Sequence, residues 1–321
     1  LHGVGASVVN ALSSRLDVEV DKGGATWAMS FRRGEPGVFA GDGPDAAFIR
    51  GNELRKIGKV AKAKTGTRVR YWADPQIFIK GAKFAYDELV ARARQTSFLV
   101  PGLELVIRDG RGDEPHEEKF RHDGGIAEFC EFLAHDEPVT EVLRLQGEDV
   151  FTETVPLLDA KGHMTPQDIE RNLGVDIAVR WGTEWDTEIK SFVNIIATPK
   201  GGTHLNGFER GITKTFNEVL KTTRLLKSGD PDVIKDDILE GMTAVVTVRL
   251  AEPQFEGQTK EVLGTPAVTK IVNQVVSREL KAFLTSNKTA QKAKARLVMQ
   301  KVVAASRTRL AARQQRDTQR R

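Results

Sequence analysis

Apolar and polar residues alternate at Leu16, Val18 and Val20, pause at Gly23-Gly24, and alternate again through Trp27 and Phe31. A period of two on both sides of a glycine pair predicts a β-hairpin. The period changes to three and four at Tyr86, Leu89, Val90 and Ala93, which predicts an amphipathic helix over 84–99. Between these lies 34–56, where Gly, Pro and Asp interrupt every run and a surface loop is expected, and then "TGTRVRYW" (65–72), which reads as a strand. A further strand is predicted at "LELVIRD" (103–109), a polar turn over 110–118, and a helix in "GGIAEFCEFLAH" (124–135). Strands are expected at 139–147, 150–159 and 175–199, separated by turns and a polar insertion over 159–174. A helix then carries Phe208, Ile212 and Phe216 on one face, and "MTAVVTVRL" (242–250) points Ala244, Val246, Val248 and Leu250 one way. Two helices end the chain, over 266–284 and 293–310, the second with Met299, Val302, Val303, Ser306 and Leu310 in one narrow stripe.

Strands and helices mixed without an internal repeat favour α/β or α+β architecture. A chain of 321 residues is long enough for about two domains. The Pro- and acid-rich break at 135–138 marks the expected boundary, with domains over 1–134 and 135–321. The single cysteine, Cys130, excludes an intrachain disulfide and a Cys-rich zinc site, and in "IAEFCEFL" it reads as a small buried hydrophobe. No apolar run reaches the ~18 residues a membrane span needs, and the expected home is the cytoplasm. The net charge of +4 is mild, but 281–321 holds twelve Lys and Arg against the single acid Asp317, so the tail either faces a polyanion or is a solvated basic helix.

Gly3-Val4-Gly5 before "ASVVNALSSRL" is a spacing by which backbone N–H groups approach a phosphate at a helix start, with His2 and Ser7 as further donors. It is equally the spacing of a plain glycine helix cap, and it is not the dinucleotide fingerprint, which needs a third glycine and a preceding strand. Lys260 and Gln258, in the loop "QFEGQTK", suit a phosphate contact or simple solvent exposure. Gly201, Gly202 and His204 suit an anion site or a tight turn. Arg111-Gly112-Asp113 is explained by turn chemistry alone, and the remaining histidines show no metal-ligand spacing. No paired carboxylates or Ser-His-Asp order mark a catalytic centre.

"LHGVGASVVNALS", "TGTRVRYW", "GGTHLNGF" and "PQFEGQTKEVLG", in this order, resemble the ATPase subunit of bacterial type IIA topoisomerases, the B subunits of DNA gyrase and topoisomerase IV. The resemblance implies a partial Bergerat (GHKL) α/β sandwich followed by a transducer like the second domain of ribosomal protein S5, an α+β chain overall. By the same resemblance, His2, Gly3, Val4 and Gly5 match the lid whose amides wrap the ATP phosphates. Thr67 matches a threonine that helps hold the adenine edge. Gln258 and Lys260 match the transducer loop, whose lysine contacts the γ-phosphate, so that hydrolysis releases one domain from the other. Lys22 stands near the place where the family often has an arginine, and a bidentate contact is not expected there.

The resemblance further implies ATP with Mg²⁺, DNA, an A-type cleavage subunit and a homodimer of B subunits. The family's glutamate that activates water, its Mg²⁺-binding asparagine and its adenine-reading aspartate precede the lid, so a fragment truncated at both ends is expected, one that neither binds ATP well nor hydrolyses it alone. Other readings of the residues are a non-enzymatic S5-like nucleic-acid-binding module and a different GHKL ATPase. The "QFEGQTK" loop argues against both.

Overall fold

The computed structural model describes residues 4–319, so the expectations placed on His2 and Gly3 lie outside the described residues. The chain divides into two compact units, one ending at Ala85 and one beginning at Tyr86.

The first unit opens with α1 (Gly5–Ala11) and continues as strands β1 (Ser13–Lys22), β2 (Ala25–Arg32), β3 (Glu35–Phe39), β4 (Phe48–Arg50), β5 (Arg55–Lys59) and β6 (Gly66–Ala73). Their order is β4-β3-β2-β1-β6, with β5 also on β2, all antiparallel. The expected hairpin forms, with Leu16, Val18 and Val20 opposite Phe31, Met29 and Trp27. Residues 34–56 are not the loop expected. They hold β3, β4 and part of β5, because β3 pairs with the end of β2, β4 with β3, and β5 with the start of β2. The stretch between β3 and β4 is fixed by Arg15, whose Nη1 donates to the carbonyls of Gly41 and Gly43 at 2.7 and 2.8 Å while Nε donates to Asp17. The same guanidinium lies 4.2 Å from the Phe39 ring centroid, a cation–π position.

The second unit contains α2 (Tyr86–Leu99), β7 (Leu105–Asp109), β8 (His116–Phe120), α3 (Ile126–Leu133), β9 (Leu143–Leu158), β10 (Met164–Trp181), β11 (Glu188–Val193), β12 (Ile196–Ala197), α4 (Thr203–Thr222), α5 (Lys235–Leu239), β13 (Met242–Leu250), α6 (Ala267–Leu284) and α7 (Thr289–Gln319). Its main sheet runs β12-β11-β13-β10-β9, antiparallel except for the parallel pair β11–β13. Helices α4 and α6 cover one face, burying Phe208, Ile212 and Phe216 with Ala244, Val246 and Val248. Each large apolar side chain so buried contributes roughly 1.5–3 kcal/mol. The opposite face of β13 is also covered, since Val245 joins Ala178, Phe192, Phe129 and Cys130 in a second cluster.

That second cluster places α2 and α3 with the later unit, so the compact units divide at 85/86 and not at 134/135. The Pro- and acid-rich break is not a linker, because it is bound to the end of β10. Val139 N–H donates to the Trp181 carbonyl at 2.7 Å, Thr183 N–H to the Glu137 carbonyl at 2.9 Å, and Arg180 Nη2 to Asp136 Oδ1 at 2.7 Å. The segments expected as separate strands over 139–147 and 150–159 form one strand, β9. The polar insertion is the turn and first half of β10, a ribbon whose residues before Leu173 pair with β9 alone.

Candidate functional site

In the first unit the site residues stand on α1 and β6. Gly5 is the first residue of α1 and Val4 its N-cap, with no side-chain cap hydrogen bond and no buried residue along the helix. Because the first N–H groups of a helix lack intrahelical partners, they point outward as donors. Across a cavity of about 380 Å³, α1 faces Leu16, Val18, Phe31, Val69 and Tyr71, an apolar sheet face on which Val69 is 56% and Tyr71 40% exposed.

Thr67 lies on β6, exposed and opposite Val20 of β1. Its end of the strand is pinned by Asp21, a residue that sequence reasoning missed. The Asp21 carboxylate accepts from Thr26 Oγ1 at 2.7 Å and from Arg68 Nη1 at 3.2 Å, and Lys64 Nζ stands 3.4 Å away. These partners, Thr26 first, hold its pKa down at about 2, well below the usual carboxylate range. Arg68 also donates to Glu19 at 2.7 Å. The only signal available beforehand was the alternation of Glu19 and Asp21 with Arg68, which means nothing until the register sets them side by side. Lys22 is exposed at the end of β1.

In the second unit Gln258 and Lys260 sit at the tip of a small closed loop between β13 and α6. Glu256 N–H donates to the Val262 carbonyl at 2.9 Å, Gly264 N–H to the Gln254 carbonyl at 2.7 Å, and Phe255 bridges Leu263. Gln258 is exposed. Lys260 is half-buried, adopts a left-handed φ of 56°, and forms no ion pair among the described residues. Its neighbour Glu261 pairs with Lys200 at 2.6 Å, and that contact lowers the Glu261 pKa.

"GGTH" is the clamp on this loop. Thr203 N–H donates to the Leu263 carbonyl at 2.9 Å and Leu263 N–H to the Gly201 carbonyl at 3.1 Å. Gly202, at φ 132°, has no room for a side chain, since a Cβ there would lie 2.3 Å from the Leu263 carbonyl oxygen. His204 is fully buried with Nε2 3.0 Å from Thr198 Oγ1 and Nδ1 without a partner, and burial pushes its pKa down to about 4. Of the two openings left for this motif, the tight turn is what the geometry supports. Cys130, fully buried with Sγ 3.3 Å from the Thr243 carbonyl, has its thiol pushed up to about 12 by desolvation and is no nucleophile. Among the described residues no group of three or more His, Cys, Asp or Glu side chains is placed to hold a metal ion, and no helix is long and apolar enough to cross a membrane.

The 43K ATPase domain of Thermus thermophilus gyrase B, solved in complex with an aminocoumarin, is similar to this chain with a TM-score of 0.74 and 32% identity, over 99% of this chain and 75% of that one. The ATP-binding domain of Francisella tularensis topoisomerase IV shares the fold with a TM-score of 0.67 at 23% identity, over 96% and 73% of the two chains. Together with an α+β arrangement of glycine-led helix, antiparallel sheet and clamped lysine loop, these likenesses define the fold as that of the GHKL domains of gyrase B and topoisomerase IV.

The chain belongs to the DNA gyrase B family, whose family model matches residues 125–318. The gyrase B protein of Streptococcus pyogenes serotype M3 is 36% identical over 320 residues, and that of Clostridium acetobutylicum 36% over 321. Each alignment covers all of this chain, which spans 43% and 44% of the length of those relatives.

Proposed function

We propose that this chain is the lid-to-transducer portion of a type IIA topoisomerase B subunit, in which ATP binding and hydrolysis drive two B subunits together and pass one DNA duplex through another in the cytoplasm. The A-type cleavage subunit supplies the break. The observation that carries this reading is Lys260, a lysine without an ion-pair partner among the described residues, held in a left-handed turn at the tip of a clamped loop. A lone ammonium fixed in that way is suited to meet a terminal phosphate as a point charge. Gln258 beside it supplies a neutral donor.

In the same reading, Val4 and Gly5, with His2 and Gly3 ahead of them, give backbone N–H groups to the phosphates, and Thr67 gives a hydroxyl to the adenine edge. The start of that helix is open, since no atom of the described residues lies within 4 Å of the place a Cβ on Gly5 would take. Mg²⁺ accompanies ATP in this reading, and none of the residues named here is assigned to hold it. The exposed cations of α7 face DNA as a sequence-independent electrostatic surface.

The test is a topology assay on an intact gyrase B protein that carries this sequence, assembled with its cleavage partner. The linking number of closed circular DNA changes with ATP and stays fixed, or changes far less, without it. Equal change with and without nucleotide contradicts the reading. The isolated chain is expected to show no ATP turnover above buffer, and measurable turnover places the catalytic carboxylate within it.

A further inference from the structure

The loop over 251–264 is held at its base from two sides. One side is the Gly201–Leu263 clamp. The other is the ribbon of β9 and β10, in the part that extends past the edge of β13. Phe151 faces Arg171 and Glu153 faces Ile169 in that ribbon, so Glu153 and Arg171 are diagonal neighbours on one face. Arg171 Nε donates to Glu153 Oε2 at 3.2 Å and its Nη2 to Glu252 Oε2 at 2.6 Å, while Gln254 Nε2 donates to Glu153 Oε1 at 2.6 Å. Two ribbon residues therefore grip two residues at the base of the lysine loop.

The ribbon's half of the grip is shielded, while Glu252 on the loop is 69% exposed. The Arg171 and Glu153 side chains are 13% and 16% exposed, so their attraction is not spread through solvent as it is for a surface pair. What it holds is strained backbone, since Glu252 at the loop's start adopts φ 51° and Lys260 at its tip φ 56°, the left-handed region that side-chain-bearing residues rarely adopt. Strain of this kind persists only when the surroundings over-determine it. The loop is closed on itself by the Glu256–Val262 and Gly264–Gln254 hydrogen bonds, which tie the turn that carries Lys260 to Gln254 at its base.

We infer that Glu153 and Arg171 are positioning residues that set the reach of Lys260, and that the protruding β9–β10 ribbon is the brace of the phosphate-sensing loop. The inference rests on the reading of Lys260 as a phosphate contact, and it adds the ribbon to the machinery that makes that contact. Neither residue touches nucleotide. Their effect passes through Glu252 and Gln254 alone.

The experiment has two arms. In this chain, amide hydrogen exchange is followed at Glu256, Lys260 and Gly264 for the wild type, Arg171→Met and Glu153→Gln. Exchange at these amides is expected to rise at least threefold in both variants, with β13 amides unchanged. Glu252→Gln, at a more exposed partner, provides the same readout if Arg171→Met loses β13 protection. In the intact protein, Arg171→Met is expected to lower kcat/KM for ATP at least threefold with ADP binding within twofold of the wild type, Arg171→Lys to recover part of the loss, and Arg171→Met to add nothing to Lys260→Ala. A Lys260→Ala rate equal to the wild type overturns the phosphate reading, and the purpose of the brace with it. A lowered Lys260→Ala rate, combined with unchanged loop exchange or full additivity of Arg171→Met, overturns the brace alone.

Discussion

His204 is a buried imidazole whose Nδ1 has no partner, so the neutral form is the only one the fold accommodates. Its pKa falls from 6.5 to about 4 on folding, which means that between these values the unfolded chain binds the extra proton. Stability is therefore complete above pH 6.5 and is lost as pH falls toward 4, by about 3 kcal/mol for a shift of this size. Urea unfolding at intervals from pH 7 to 4 measures the loss, and His204→Asn is expected to remove it. A wild-type curve parallel to that of His204→Asn shows that burial at this position is not what the structure depicts. Asp21 acts in the same direction over a lower range. Its depressed carboxylate contributes stability that is present above pH 3.8 and disappears as pH falls to about 2. Asp21→Asn is expected to loosen β6 at Thr67, read as faster exchange at the amides of Thr67 and Val69.

Packing between α4 and α6 depends on Gly207 and Gly211 in the same way that the loop depends on Gly202. A Cβ on Gly207 would lie 2.6 Å from the Thr269 carbonyl oxygen, and one on Gly211 2.9 Å from Val276 Cβ. Gly207→Val is expected to lower unfolding free energy by about 1–3 kcal/mol, the usual cost of overpacking a close contact. An unchanged denaturation midpoint would mean the helices are farther apart. The elements legible beforehand were those with a long, one-sided pattern. The β1–β2 hairpin, α4, α6, β13 and the buried stripe of α7 at Met299, Val302 and Val303 all carry it. Those missed were β3, β4, β5 and β8, strands of three to five residues too short and too interrupted by charge, Pro or Gly for an alternation to show, and the first half of β10, a largely exposed polar ribbon. At the site, "QTK" and "GGTH" were visible as separate motifs. Their union through Leu263, and the grip of Arg171 on Glu252, depend on long-range register that no local pattern encodes.

Across the whole molecule, charge is divided between structure and reach. On α7, Arg309 is bound to the buried Asp237 carboxylate at 2.7 and 2.9 Å, Lys294 pairs with Glu141, and Lys301 donates to the Glu184 carbonyl. Arg307, Arg313 and Arg316 are exposed. If these three contact phosphates, their joint replacement by Ala reduces the slope of log affinity for duplex DNA against log salt by about three, without a change in sequence preference. An unchanged slope moves the DNA face away from α7. The phosphate role proposed for the lysine loop has a sharper test than loss of turnover. Lys260 is assigned to the terminal phosphate alone, so in an intact gyrase B protein Lys260→Ala should weaken binding of a non-hydrolysable ATP analogue while leaving ADP binding within twofold of the wild type. Loss of one charge-assisted hydrogen bond, worth roughly 1.5–3 kcal/mol, corresponds to about a ten- to hundredfold weaker dissociation constant for the analogue. Equal weakening of both nucleotides, or of neither, contradicts the account.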